Sequence, residues 1–321
     1  MRAFLLKTVS KTSLILGSWL IRFIAWWIAT GYFLFRPSRR NSSIRLYQAI
    51  FPDHRSWYYL YCAWCQFHSF AGTYADRIEV YANKEVTAPA QGREKLVEAG
   101  RRGTGGIILT SHLGGYEVAV RAFQELGLRL LLLMGEKEAK QVARNQRETL
   151  IARGVQIHVA TAQEGSPFGG LEALKFIREG GFVSIAGDLV WTDQRSLVPV
   201  RFFNHDVGLP AGPHLLALVS GAPLFTLFTF RVRKGRHRII LSSPQHVKAP
   251  SRAERNAALQ ASAQAYAGAL ETMVRQHPFQ WYIFEPFFRS APDERSASPT
   301  GPSARVPGGA GRQGNADAPN P

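Results

Sequence analysis

The sequence predicts an α/β fold, a mixed sheet flanked by helices, with an N-terminal membrane-anchoring helix. Three observations lead to this prediction. Short apolar runs such as Gly105–Thr110 and Phe182–Asp188 are typical of buried strands. Helical patterns alternate with these runs, as they do in sheets that have helices on both faces. A segment of 22 residues, Leu14–Phe35, precedes all the strands, and Arg22 is its one charged residue.

Composition limits the class of protein. The chain has 321 residues, and 45% of them are hydrophobic, which is enough for a packed core and excludes a mostly disordered protein. Its two cysteines exclude a disulfide scaffold and fit a reducing compartment. The 39 Lys and Arg outnumber the 23 Asp and Glu, and the net charge of +16 points to anionic partners: nucleic acid, acidic lipid or a phosphorylated substrate.

The N-terminal stretch, residues 1–40, is the predicted anchor. As a helix, Leu14–Phe35 would extend about 33 Å, enough to cross the hydrocarbon core of a membrane. Its three tryptophans and Tyr32 favour the headgroup zone. Arg22 near the middle leaves open a helix that lies in the membrane plane instead. Basic residues flank both ends and give no clear orientation: Arg2, Lys7, Lys11, Arg36, Arg39, Arg40 and Arg45.

Two other interpretations of this segment are weaker. A cleaved signal peptide would have a shorter apolar run, and no convincing small-x-small cleavage site follows this one. A buried core helix is disfavoured because tryptophan-rich helices with arginine at both ends are unusual in protein cores. We therefore predict an uncleaved anchor.

The remainder divides into a folded domain, residues 41–289, and a tail, residues 290–321. Aromatic-rich helices are expected first, then strands that alternate with helices, and finally two strands that form a hairpin and an alanine-rich helix. The expected strands are Gly105–Thr110, Leu128–Met134, Val155–Ala160, Phe182–Asp188, Ala222–Val232 and His237–Ser243. The tail is rich in Pro, Gly, Ser and Ala without an apolar period, which predicts disorder.

One strand end carries a candidate pair for acid–base chemistry. His112 and Glu117 lie in "LTSHLGGYE", directly after a predicted strand, and active-site groups of α/β sheets cluster at the carboxyl ends of strands. Residues five apart do not share a helix face, but Gly114 and Gly115 allow a sharp turn that would let the two side chains meet. A carboxylate on one imidazole nitrogen fixes the tautomer, so that the other nitrogen can take a proton from a hydroxyl.

These residues resemble a known family. "GIILTSHLGGYE" is similar to the His-x4-acid motif of the bacterial lipid A biosynthesis (lauroyl/myristoyl) acyltransferases, within the lysophospholipid acyltransferase-like superfamily. Gly115 and Tyr116 stand where that family usually has Asn-Trp. Further similar strings follow in order, and the resemblance covers about residues 14–288: "AIFP", "FVSIAGDLV", "VPVRFFNHDVGLPAGPHLLALVSGAPLF" and "HPFQWYIFEPFF".

The resemblance implies acyl transfer from an acyl thioester, on acyl carrier protein or CoA, to a hydroxyl of a membrane glycolipid such as a lipid A precursor. It implies that His112 is the general base and Glu117 its orienting partner. Asp188 matches the strand-end Asp of the family and receives a supporting role in substrate binding; Leu189 follows it where Gln is frequent. Arg195, and Arg147 among three arginines of a polar helix, are the residues expected to bind substrate.

The same resemblance implies no metal and no cofactor beyond the thioester co-substrate. It implies a protein at the bacterial inner (cytoplasmic) membrane, with its catalytic domain facing the cytoplasm, a lipid acceptor and an anionic membrane surface as partners, and no nucleic acid. The acceptor stays open among lipid A precursors, phosphatidylinositol mannosides, lysophospholipids and amino-acid lipids. A catalytically silent membrane-binding protein of the same fold and a hydrolase are the competing hypotheses.

Two other motifs indicate ordinary structure. Cys62 and Cys65, with His68 nearby, mimic a zinc or redox motif, but a single CxxC without a second ligand pair is weak evidence, and three-residue helical spacing places both thiols on one packing face. The basic run Arg231–Arg238 surrounds a predicted strand turn. It is compatible with nucleic acid, anionic headgroups or solvent, and no nucleic-acid-binding signature accompanies it.

Overall fold

The structure of the protein is a computed structural model that describes residues 18–81, 90–135, 154–160, 168–188 and 197–288, together with 148, 150 and 151. The helices in these ranges are α1 (Ser18–Phe35), α2 (Pro37–Ile50), α3 (Ser56–Tyr81), α4 (Arg93–Arg101), α5 (Tyr116–Glu125), α6 (Phe168–Arg178), α7 (Gly212–Ser220) and α8 (Arg255–Gln276). The strands are β1 (Ala90–Gln91), β2 (Gly106–Thr110), β3 (Leu130–Gly135), β4 (Gln156–Ala160), β5 (Phe182–Ala186), β6 (Leu197–Phe202), β7 (His205–Pro210), β8 (Leu224–Arg233) and β9 (Arg236–Leu241).

Among the described residues, seven strands form one mixed sheet in the order β1-β9-β8-β2-β5-β3-β4. Neighbouring strands are parallel except β8 and β9, which pair as the predicted antiparallel hairpin. The apolar run of β2 is central and fully buried. Ile107 and Leu109 join the core on one face, whereas Ile108 joins the core on the other. The predicted α/β fold with helices flanking a mixed sheet is therefore confirmed.

A two-stranded sheet, β6–β7, was not predicted from the sequence. Its strands pair Leu197–Phe202 with His205–Pro210, and the two-residue turn between them places Phe203 at φ 47° and Asn204 at φ 61°. Residues of α8 hold this hairpin: Gln264 bonds both backbone groups of Arg201, and Glu271 accepts the Phe203 N–H at 2.7 Å. The hairpin and α8 thus form one packed unit beside the sheet.

The predicted membrane span finds no support in α1. None of the helices in the described part of the chain is long and apolar enough to cross a membrane. Instead, one side of α1 packs on α3, where Phe33 meets Phe67 with ring centroids 5.6 Å apart. Arg22, the charge inside the predicted span, forms an ion pair with the buried Asp76 of α3.

Asp76 joins three parts of the fold. Its fully buried carboxylate accepts bonds from Arg22 of α1, from Arg231 Nε of β8 at 2.6 Å and from His237 Nε2 of β9 at 3.0 Å. Burial raises its pKa, but the hydrogen bonds and positive charges around it outweigh burial and bring the pKa to about 2. Part of the basic run Arg231–Arg238 is therefore turned inward, where it holds the helices on the sheet.

The cysteine motif lies in a packed helix, as predicted. Cys62 of α3 is buried, and Cys65 is partly buried one turn later. Burial raises the pKa of the Cys62 thiol to about 11, so that it is an unreactive thiol at neutral pH. The predicted tail, residues 290–321, lies outside the described residues. So does most of 135–153, the polar helix that is predicted to carry Arg147.

Candidate active site

The candidate site lies where two neighbouring parallel strands end. β2 and β5 pair in register, with Thr110 opposite Ala186. Each strand is followed by one residue and then by a polar side chain, His112 after β2 and Asp188 after β5. Because the strands are adjacent and in register, these two side chains leave the sheet side by side at its carboxyl edge.

The Asp188 carboxylate holds the His112 residue at two points. Its Oδ1 lies 2.8 Å from Nδ1 of the imidazole, and its Oδ2 accepts the backbone N–H of His112 at 2.7 Å. Oδ2 also accepts the indole Nε1–H of Trp281 at 2.8 Å. A carboxylate bonded to Nδ1 assigns the proton to that nitrogen in the neutral ring, which leaves Nε2 as the basic nitrogen.

Asp188 and His112 differ in how far their side chains are buried. The Asp188 side chain is fully buried, whereas 23% of the His112 side chain is exposed. A buried carboxylate that accepts three N–H groups is fixed in place, and the ring it holds remains reachable from outside. The arrangement is suited to removal of a proton from a bound hydroxyl.

The turn after His112 depends on Gly114. Its φ is +70°, and a Cβ on this residue would lie 1.9 Å from the carbonyl oxygen of Thr229, so that only glycine fits. Its N–H bonds the carbonyl of Gln280 at 2.8 Å, and the carbonyl of His112 accepts the N–H of Tyr282 at 2.9 Å. The segment around Trp281 is therefore tied to the backbone of His112 and to the turn that follows it.

Tyr266 of α8 secures the end of β2. Its hydroxyl donates to the carbonyl of Thr110 at 2.9 Å. Burial, and to a lesser degree the nearby charge of Asp188, raises the pKa of Tyr266 well above its usual value. The phenol therefore remains a proton donor to that carbonyl at any pH at which the protein functions.

The residues expected from the sequence are only partly brought together. Asp188 holds the imidazole of His112, a closer role than the supporting one expected for it. Glu117 lies in the first turn of α5, but its side chain lies outside the described part of the structure, and its predicted contact with His112 stays a prediction. Arg147 and Arg195 lie outside the described residues. Trp281 was not predicted to have a role, although it is the Trp of the "HPFQWYIFEPFF" string.

A recess of about 460 Å³ lies beside the Trp281 segment. Its walls include Trp26 of α1, Trp64 and His68 of α3, and Phe279 and Gln280 of the segment. Gln280 is also the residue whose carbonyl accepts the Gly114 N–H. The recess therefore lies between α1 and the segment that is bonded to the turn after His112.

Together, the fold and the site define a class: an α/β protein with a carboxylate-held histidine at the carboxyl edge of its sheet. Residues 63–290 match the family described as bacterial lipid A biosynthesis acyltransferase. This match spans more than two thirds of the chain, and the protein belongs to that family. No curated protein matches the sequence.

Proposed function

We propose that the protein transfers a fatty acyl chain from an acyl thioester, on acyl carrier protein or CoA, to a hydroxyl of a lipid A-like glycolipid, with His112 as the general base. Family membership supports an acyltransferase that acts on lipid A-like substrates. The observation that carries the finer proposal is the contact between Nδ1 of His112 and the buried Asp188, which leaves Nε2 as the basic nitrogen of a partly exposed ring.

The transfer step follows from this arrangement. Nε2 of His112 takes the proton of the acceptor hydroxyl as the oxygen attacks the thioester carbonyl carbon. The C–O bond forms, the C–S bond breaks, and the imidazolium returns its proton to the departing thiolate. Asp188 stabilises the imidazolium between these two events. The sequence contains no Gly-x-Ser-x-Gly string, so the proposed route has no serine acyl-enzyme.

The remaining expected residues keep their proposed roles. Glu117 would supply a second carboxylate near the imidazole from the first turn of α5. Arg147 and Arg195 would bind an anionic group of the substrate, since guanidinium pairs with phosphate in a bidentate manner. The reaction needs no metal and no cofactor beyond the thioester.

We propose that α1 lies in the surface of the bacterial inner membrane, on its cytoplasmic side, instead of spanning it. α1 exposes large apolar residues: Trp19, Phe23, Trp27, Ile28, Tyr32, Leu34 and Phe35. Trp26 is exposed as well, although its ring also packs against Trp64 and His68 of α3. Arginines of α2 follow directly, and basic groups beside an apolar helix face attract anionic lipids. Trp26 is exposed and also lines the recess, so a lipid held at α1 would lie beside the segment that carries Trp281.

Vesicle binding tests the role of α1. The double variant Trp27→Ser/Ile28→Ser should bind vesicles of phosphatidylethanolamine and phosphatidylglycerol at least ~10-fold more weakly, because each exposed side chain loses apolar burial of roughly 1.5 kcal/mol or more. A flotation assay measures the bound fraction. The matched control is Leu171→Ser/Leu197→Ser, which removes two exposed apolar side chains outside α1. Equal binding of both double variants to the wild-type level would contradict the proposal.

A reconstituted assay tests the proposed activity. Purified protein in vesicles is given a labelled acyl thioester and a lipid A precursor, and the products are separated and analysed by mass spectrometry. We expect the glycolipid to gain the mass of one ester-linked acyl chain, with release of one thiol per chain. Release of free fatty acid without an acceptor would indicate a hydrolase instead. Absence of turnover with either carrier and with every acceptor class would favour the catalytically silent alternative.

A further inference from the structure

The indole of Trp281 is part of the hydrogen-bond chain that ends at His112. Trp281 is fully buried, and its Nε1–H donates to Oδ2 of Asp188 at 2.8 Å. The other oxygen of the same carboxylate lies 2.8 Å from Nδ1 of His112. Indole N–H, carboxylate and imidazole thus form a continuous series, with the partly exposed ring at its outer end.

The position of the indole is fixed on several sides. The backbone carbonyl of Trp281 accepts the side-chain amide of Gln66 at 2.6 Å. Residue 281 forms an isolated β-bridge with Leu113, the residue after His112. The rings of Phe202 and Phe287 meet the indole with centroids 5.5 Å and 4.9 Å away. The N–H therefore points at Asp188 without freedom to turn away.

This donor has a consequence for the histidine. A carboxylate that accepts only the two groups of His112 would concentrate its charge on the imidazole and stabilise the imidazolium strongly. A third donor, neutral and rigid, draws part of that charge away and also stops rotation of the carboxylate about its Cβ–Cγ bond. Both effects act on the imidazole through Asp188, since a fully buried indole does not touch substrate.

We propose that Trp281 is a positioning residue for His112: its indole N–H orients the Asp188 carboxylate and limits how strongly that carboxylate favours the protonated imidazole. The catalytic half of this inference rests on the proposed acyl transfer, whereas the effect on the protonation of His112 does not. The two can therefore be tested separately.

The test removes the N–H donor of residue 281 and, in one of two variants, keeps a ring of the same size. Trp281→Phe removes the N–H but also leaves space in the core, so a second variant carries benzothienylalanine at position 281, in which sulfur replaces the N–H in a ring of the same size. The matched control is Tyr282→Phe, which removes a buried hydroxyl that bonds Ser69 and Thr73 and retains the backbone bond to His112. All variants are studied as full chains.

Two readouts separate positioning from packing. In NMR spectra of protein labelled with ¹⁵N-histidine, the titration midpoint of His112 should rise by roughly 0.5 pH unit or more in the benzothienyl variant and stay unchanged in Tyr282→Phe. In the transfer assay, kcat should fall about 10-fold, because the variant loses a hydrogen bond to a charged group. KM should change little, because Trp281 does not contact the substrate.

The outcomes are distinct. An unchanged His112 midpoint and an unchanged kcat in a folded benzothienyl variant would overturn the inference and leave Trp281 a packing residue. A shifted midpoint in a protein that transfers no acyl group would overturn the proposed function and support the positioning of His112 by Trp281. An equal shift in Tyr282→Phe would also overturn the inference, since it would assign the effect to the segment as a whole.

Discussion

His112→Ala should lower acyl transfer by about 10³-fold or more, to near the uncatalysed background. The substitution removes the proposed base, and general base catalysis contributes typically 10²- to 10⁴-fold. It also removes the group that would return a proton to the thiolate. The rate of transfer from the labelled thioester, measured at saturating acceptor, checks this expectation.

The fold should survive this substitution. The backbone N–H of His112 and the indole of Trp281 still donate to Asp188, so the buried carboxylate keeps two of its three donors. Loss of the third should cost about 1–3 kcal/mol of unfolding free energy. Circular dichroism and flotation should therefore match the wild type. The control is His205→Ala, at an exposed position of the hairpin β6–β7, which should retain activity. Wild-type transfer by His112→Ala would contradict the mechanism.

Asp188→Asn should lower kcat by roughly 10³- to 10⁴-fold, although the side chain keeps its size. Two N–H groups point at the Oδ2 position, so the amide oxygen would take that position. The amide NH₂ would then face Nδ1 of His112 and oblige that nitrogen to accept a hydrogen bond. The ring would carry its proton on Nε2, the tautomer that cannot act as a base.

Steady-state kinetics of two variants tests this tautomer argument. The matched control is Asp206→Asn, an exposed carboxylate that pairs with Arg201 on the hairpin, and its kcat should stay near the wild-type value. The double variant His112→Ala/Asp188→Asn should be no slower than His112→Ala alone, because both residues act as one unit. Additive losses would show that Asp188 acts independently of His112 and would contradict the assigned role.

The sequence predicts much of the sheet because its inner strands are buried on both faces. Short, continuous apolar runs such as Gly106–Thr110 and Phe182–Ala186 are typical of strands inside a parallel sheet. The sequence does not predict the hairpin β6–β7, because its two strands pair only with each other and are not part of the large sheet. Burial alternates along Leu197–Phe202, but the exposed Leu197 and Pro199 are apolar, so the sequence does not show this alternation. The signal it does carry is Asn204, a residue type that tolerates the left-handed turn.

The contact between Asp188 and His112 is harder to predict from the sequence than the position of His112 itself. Glu117 is near it in sequence, and the expected pair followed from that nearness and from the family motif. Asp188 is 76 residues away, and its contact depends on the register of β2 against β5, which no local pattern specifies. The ion pair of Arg22 is equally hard to predict. In the sequence Arg22 is only a charge inside an apolar segment, and its partner Asp76 lies 54 residues later.

The pH dependence of wild-type transfer tests the central claim most directly. The kcat/KM of the free enzyme should rise with pH through one ionisation and then level, because only the neutral imidazole can accept the proton of the hydroxyl. The midpoint of that rise should coincide with the His112 midpoint observed by ¹⁵N NMR in the same buffer. A transfer rate that stays constant while His112 changes its protonation state would show that another group removes the proton, and would contradict the mechanism proposed for this protein.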